Sequence, residues 1–274
     1  MHWLKKYFDF YVFSNLHVSF AVFSLTKLTL VMYDITEDIL PWFTFFSTLL
    51  SYNFIRLYKL SDIQHWMNQF VRKHRKALIF LMSVSLVSCF YLLFQLQLKA
   101  ILVLIPFTFF TFFYVLPINF NRNTPVTLRA ISFIKLFLIA FSWAGVTVLF
   151  PLTNHHKSIG LDELLIFAQR FLFVVAITLP FDIRDIDFDD ATLKTIPQVL
   201  GVNYAKRFGI LCLMLFVGMG FFRSTTEGFR EHLIIAVLVL IFLMRASKDQ
   251  NKYYSAFWVE GIPVIWLLLH LIIN

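Results

Sequence analysis

About nine stretches of this chain are apolar enough to be membrane-spanning helices, and that pattern leaves few other folds open. They run over roughly 10–32, 39–57, 77–96, 100–118, 130–151, 163–182, 207–222, 231–246 and 254–273, against a need for about 20 residues to cross a hydrocarbon core about 30 Å thick. With 59% hydrophobic residues and 35 Phe among 274, the composition lies far from that of a soluble domain. The expected fold class is therefore an all-α polytopic membrane protein, a single transmembrane domain over 1–274. No Pro/Gly-rich linker divides it. Spans two and six each end in a polar segment, four spans apart, which suggests two related halves, roughly 1–125 and 126–274.

Charge sets the expected orientation. Lys and Arg gather at the N-terminus (Lys5, Lys6) and in alternate connections, among them Arg56, Lys59, Arg72, Lys73, Arg75 and Lys76 after span two and Arg184, Lys194, Lys206 and Arg207 after span six. The other connections hold only Lys99, Lys157, Arg223 and Arg230. By the positive-inside rule the N-terminus and the first set of loops are cytoplasmic, as in a multi-pass protein of a bacterial inner (plasma) membrane. The net charge of +8 is thus topology, and no basic helix or RNA-binding signature points to nucleic acid. Cys89 and Cys212 lie inside apolar runs and read as packing. The early apolar run is too long for a signal peptide and reads as the first span.

Against this background one segment stands out. FDIRDIDFDDATLKTIPQVLG, residues 181–201, contains Asp182, Asp185, Asp187, Asp189 and Asp190, close to a third of the chain's 16 acidic residues. On a continuous helix Asp182, Asp185 and Asp189 (i, i+3, i+7) share one face. Carboxylates so gathered repel one another unless a cation sits among them, and Mg²⁺ commonly bridges one or two carboxylates to phosphate oxygens. Asp187 and Asp190 point elsewhere and read as solvated or structural. The alternative is a solvated acidic cap paired with nearby Lys and Arg.

The order DIRDIDFDDATLKTIPQVLG resembles the second aspartate-rich motif of the UbiA superfamily of intramembrane prenyltransferases, Asp-x-x-Asp-x-x-x-Asp followed by Lys-Thr and Leu-Gly. The resemblance implies a helical bundle around a central lipid-open cavity, with a polyprenyl diphosphate held through Mg²⁺ at the cytoplasmic face and its chain passed to an aromatic or lipid acceptor. It implies Asp182, Asp185 and Asp189 as metal ligands and catalytic residues, and Lys194 near the diphosphate. Metal and cationic side chains would neutralise the leaving group. Aromatic stretches such as PFTFFTFFYVLP would wall a carbocation from water.

The family's first motif, Asn-x-x-x-Asp-x-x-x-Asp, is degenerate here. In SYNFIRLYKLSD, Asn53 is present, but Leu57 and Ser61 stand at the aspartate positions and Asp62 is one residue out of register. Arg56 and Lys59 flank the gap, either as cations that grip the diphosphate in place of a metal or as topology charges. By the same resemblance Asn53 faces the site. Tyr114 would line the pocket or anchor at the interface; Arg129 and Lys135 would point to the anionic site, Arg129 reading equally as a positive-inside residue. Glu260 serves a pocket or a structural pair, while Lys27 and Arg170 are expected to snorkel to the outer interface. Polar residues of the first two spans (Ser14, Asn15, His17, Lys27, Ser47, Ser51, Asn53) should face an interior cavity. The expected function is Mg²⁺-assisted prenyl transfer, and the alternative is a non-catalytic isoprenoid-binding or scaffold protein on the same fold.

Overall fold

In the computed structural model the described residues are 2–58, 66–113, 133–188, 193–223 and 228–273. All regular structure among them is helical. The order is α1 (His2–Phe13), α2 (Leu16–Val31), α3 (Ile39–Tyr58), α4 (Trp66–Leu93), α5 (Leu98–Phe113), α6 (Ile134–Ala144), α7 (Phe150–Asn154), α8 (Leu161–Arg184), α9 (Ile196–Leu200), α10 (Val202–Gly218), α11 (Phe229–Arg245) and α12 (Ile262–Ile273). Wider π-type turns join α6 to α7 (Gly145–Leu149) and precede α12 (Tyr254–Val259).

Each stretch expected to span is helical over most of its described length. By length and apolarity, five described helical segments qualify to cross a membrane, or six if the bent pair α1–α2 counts as one. The first expected span is broken: the chain bends by 54° between α1 and α2. Asn15 sits at the bend in the left-handed region (φ 71), which asparagine tolerates better than most residues.

Helix α8 organises the interior. Its apolar residues Phe173 to Leu179 and Ile183 share one core with Leu25 and Leu28 of α2, Leu136 and Ala140 of α6, Phe216 of α10, Val239 and Leu243 of α11, and Trp266 of α12. Small residues let the helices approach. A Cβ on Gly209 would meet Leu243 at 2.4 Å and Leu179 at 2.8 Å, and one on Gly145 would meet the Phe107 ring at 1.9 Å. Helix α4 packs chiefly on α3 and turns Phe80, Leu86, Val87, Phe90 and Tyr91 outward, a face suited to lipid.

One expectation is overturned. Arg170 does not snorkel: it is 1% exposed, in the middle of the bundle. Its guanidinium donates to the Leu25 carbonyl (2.8 Å), Thr147 Oγ1 (3.4 Å) and Thr29 Oγ1 (3.3 Å), and lies 5.1 Å from the centre of the Trp266 ring. The arginine sits half-way along α8, too far from either end to reach an interface. Lys27 does reach outward, pairing with Asp38 and approaching the carbonyls of Thr36 and Glu37 beyond the end of α2.

Candidate anion site at the acidic end of the bundle

The acidic end is built by four converging elements: the end of α8, the start of α6, the end of α3 and the turn before α12. Helix α8 is pinned there through Pro180, whose carbonyl accepts from Gln250 Nε2 (2.8 Å) and Ser255 Oγ (3.3 Å) of the loop before α12. The helix stops at Arg184, and Asp185 caps it with its N–H on the Phe181 carbonyl (2.9 Å). The chain then turns, Phe188 N donating to Asp185 O at 2.9 Å. The expected single helical face therefore holds for Asp182 and Asp185 but is not continued beyond them. Asp189, like Asp190, lies outside the described residues.

Asp182 and Asp185 each have a cation on them. Asp182, 2% exposed, accepts a 2.7 Å bond from Lys135 Nζ, which enters from the first turn of α6. Asp185 accepts from both Nε (2.7 Å) and Nη2 (2.8 Å) of Arg184, a forked contact between chain neighbours. Arg184 also lies 5.3 Å from the centre of the Phe181 ring. Asp187 is exposed and pairs loosely with Lys248 at 3.3 Å, the solvated role expected of it.

Arg56 joins this cluster from the last turn of α3. It donates to the Phe13 carbonyl, the last of α1, at 2.7 Å and approaches Met67 Sδ at 3.0 Å, with Arg184, Asp185 and Glu260 in its electrostatic surroundings. Glu260 comes from the turn that ends the π-type segment and feels both Arg56 and Arg184. A membrane interior would tolerate neither a lone carboxylate nor two adjacent arginines, so each sign justifies the other.

Asn53 has a different place. It is 0% exposed, its Oδ1 accepts from Asn15 Nδ2 (2.9 Å) and its Nδ2 donates to the Ser14 carbonyl (3.2 Å). It braces the α1–α2 break and so positions the Phe13 carbonyl on which Arg56 rests. Ser14, Asn15 and His17 are buried around the same break, with His17 between Tyr11 OH and the Phe257 carbonyl, both at 2.9 Å. These polar residues serve the bend itself, which the expectation of a cavity lining had not foreseen.

Lys194 is exposed, with φ 43, and its carbonyl accepts from Phe133 N at 3.4 Å, tying the turn before α9 to the start of α6. Thr195 N then donates to Gln198 Oε1 (2.9 Å), half of a capping box, and Gly201 ends α9 at φ 84. The Lys-Thr and Leu-Gly of the motif thus bound a short capped helix. Lys59, Tyr114 and Arg129 lie outside the described residues. Among those described, no three His, Cys, Asp or Glu side chains converge as a metal cluster. An open groove between α3 and α4, lined by Asp38, Trp42 and Tyr91 among others, lies at the opposite end from this cluster.

The fold has relatives among solved structures. The structure of a UbiA homologue from Archaeoglobus fulgidus bound to GPP and Mg²⁺ superposes with a TM-score of 0.64 over 96% of this chain and 99% of that one, at 12% identity. This is the UbiA fold. The apo structure of a UbiA homologue from Aeropyrum pernix K1 gives 0.62 over 96% of both chains at 14% identity, and a second A. fulgidus structure gives 0.54. No protein-family model and no curated protein sequence matches the chain. In this fold the acidic end brings the Lys135–Asp182 and Arg184–Asp185 ion pairs together with Arg56 and Glu260, which act on Arg184 electrostatically, from segments far apart in sequence.

Proposed function

We propose that this protein is a UbiA-type membrane prenyltransferase, binding a polyprenyl diphosphate at the acidic end and transferring its chain to an aromatic or lipid acceptor. The observation that carries the reading is the convergence of Lys135, Arg184 and Arg56 around Asp182, Asp185 and Glu260 inside a lipid-facing bundle. Buried charges of both signs are costly, and a site for a charged head group on an apolar chain gives them a use. The likeness to a homologue that binds GPP and Mg²⁺ supports the choice of ligand.

The donor chemistry fits one hard cation on the α8 side. Asp182 and Asp185 offer carboxylate oxygens one helical turn apart, and Asp189 is proposed as a third donor. On the α3 side Leu57 offers none, so the fit does not extend there. Mg²⁺ bound between Asp182 and Asp185 would neutralise the diphosphate as it leaves. The remaining work falls to the chain itself. Arg56 and Arg184 supply positive charge toward the diphosphate oxygens where the first motif has lost its carboxylates. Lys135 holds Asp182 in place, Asn53 and the α1–α2 bend hold Arg56, and Lys194 waits at the exposed rim. Lys59, Tyr114 and Arg129 are proposed to line the same region. Phe181 and its aromatic neighbours keep water from the ionising carbon.

The test is release of inorganic diphosphate and formation of prenylated product by purified protein in lipid vesicles, with a panel of aromatic and lipid acceptors. Product formation that is lost on Asp185→Asn supports transfer. Tight donor binding with no release, over the whole panel, favours the isoprenoid-binding alternative.

A further inference from the structure

Helix α1 is held on one side and bare on the other. Its inner side packs by rings: Phe13 on Trp66 (4.8 Å between ring centres) and Phe70 (5.7 Å), Phe10 on His74 (5.6 Å), and Phe8 on Phe257 (4.8 Å). Its carboxylate, Asp9, accepts from Tyr253 OH and pairs with Lys252 at 3.4 Å. Trp3, Leu4 and Tyr7, by contrast, are 73%, 75% and 67% exposed, and Lys5 and Lys6 are exposed with no hydrogen-bond or ion-pair partner among the described residues. At about 100° per residue, Trp3, Tyr7 and Leu4 fill one arc of the helix, with Lys6 on one flank and Lys5 on the other, the pattern of a helix at a head-group boundary. The bend carries α1 there. Helix α2 has 16 residues, about 24 Å, against a hydrocarbon core of about 30 Å. With α2 along the membrane normal, the 54° bend lets the 12 residues of α1 add about 10 Å of depth while swinging about 15 Å sideways, so Trp3 to Tyr7 arrive among the head groups. The start of α4 adds Lys73 and Lys76, one turn apart, exposed and likewise without a partner among the described residues. Lys73 adjoins His74, on which Phe10 rests, and Phe10 lies one turn from Lys6. Both helices also meet on Arg56, α1 through the Phe13 carbonyl at 2.7 Å and the first turn of α4 through Met67 Sδ at 3.0 Å.

We propose that α1 and the start of α4 form a site for an anionic phospholipid, its head group among Lys5, Lys6, Lys73 and Lys76 and its chains on Trp3, Leu4 and Tyr7, and that lipid bound there steadies the two supports of Arg56. The link to Arg56 rests on the prenyl diphosphate reading above, whereas the lipid site does not. A positive-inside bias is satisfied by a basic residue anywhere in these connections, but a lipid site depends on those of α1 and α4. Each cation near an anionic head group strengthens binding by roughly fivefold, and apolar side chains beside it hold the acyl chains. The link has a sign of its own. Anionic lipid in the bulk membrane repels a diphosphate, so a diphosphate site that tightens when such lipid is added reports the α1–α4 site and not the surface potential.

Native mass spectrometry of the full-length protein titrated with phosphatidylglycerol or phosphatidylcholine reads the lipid site. Wild type is expected to bind phosphatidylglycerol about tenfold tighter or more, Lys5→Gln/Lys6→Gln to lose most of that preference, and Lys248→Gln, at the same end of the bundle, to keep it. Equal affinity for the two lipids in wild type overturns the site, as does an equal loss in a folded Lys248→Gln variant. Displacement of the lipid by glycerol phosphate at matching concentration also overturns it, since the apolar face would then contribute nothing. Binding of a non-hydrolysable prenyl diphosphate analogue in nanodiscs reads the link. Adding phosphatidylglycerol to phosphatidylcholine discs is expected to tighten binding to wild type by about fivefold or more, the lower range of coupling between two sites, and not to tighten it in Lys5→Gln/Lys6→Gln. Weaker binding by wild type in phosphatidylglycerol, the bulk effect, overturns the link. If the analogue binds in neither membrane, the diphosphate reading fails and the link with it, while the phosphatidylglycerol preference decides the lipid site by itself.

Discussion

Lys135 and Asp182 form a 2.7 Å ion pair in which the carboxylate is 2% exposed and the ammonium carrier 14% exposed, joining the first turn of α6 to the last turns of α8. The pair comes from positions 47 apart in sequence, with the carboxylate buried and the ammonium partly so. Removing one partner should be far worse than removing both. Lys135→Met is expected to destabilise by about 3–5 kcal/mol because it takes a cation away from the buried Asp182 carboxylate, and adding Asp182→Leu should recover most of that loss. Chemical unfolding in mild detergent of the two single variants and the double variant checks the cycle.

Arg170 makes the opposite case. Its hydrogen-bond partners among the described residues are neutral, and the Leu25 carbonyl keeps a second donor in Thr29 Oγ1 (3.2 Å) if the guanidinium is removed. Arg170→Met, which keeps volume and removes the buried charge, is expected to be neutral or stabilising by about 1 kcal/mol or more. Arg170→Ala, which leaves a hole against Trp266, is expected to cost about 2–4 kcal/mol. The same unfolding measurement separates the two.

Gly145 has no room for a side chain, since a Cβ there would lie 1.9 Å from the Phe107 ring, itself only 4% exposed. Gly145→Ala should destabilise by about 1–3 kcal/mol through overpacking. Pairing it with Phe107→Leu should restore part of the loss, readable as a shift in the thermal midpoint.

Arg56 is expected to act on affinity rather than on folding. Arg56→Gln keeps a donor for the Phe13 carbonyl and removes the charge, so diphosphate binding should fall by about ten- to a hundredfold, the worth of a charge-assisted contact of about 1.5–3 kcal/mol. Retained affinity in a folded variant would show that the charge belongs to topology alone.

How much of this was legible in the sequence varies with the range of the interaction. Apolar length predicted the helices, because crossing a bilayer is a local demand that each stretch meets alone. The acidic segment and the resemblance around it pointed to the end of the bundle where the cations converge, and Lys135 was marked as facing that end. The stop of α8 at Arg184 was not foreseen: an i, i+3, i+7 pattern describes a helix that continues and cannot say where it ends. Arg170 was misplaced because a cation in an apolar run is read by its distance from the membrane surface, whereas its Thr29, Thr147 and Leu25 partners come from other helices. The bend at Asn15 escaped for a similar reason, being braced by Asn53, 38 positions away.

The most direct test of the central account is a binding titration of a non-hydrolysable prenyl diphosphate analogue to the purified protein, with and without Mg²⁺, for wild type and Asp185→Ala. The account predicts saturable binding that Mg²⁺ strengthens in wild type, with the Mg²⁺ effect abolished in Asp185→Ala and a weaker affinity carried by Arg56 and Arg184 remaining. Absence of binding by folded wild-type protein, or a Mg²⁺ effect that survives the substitution, would contradict it.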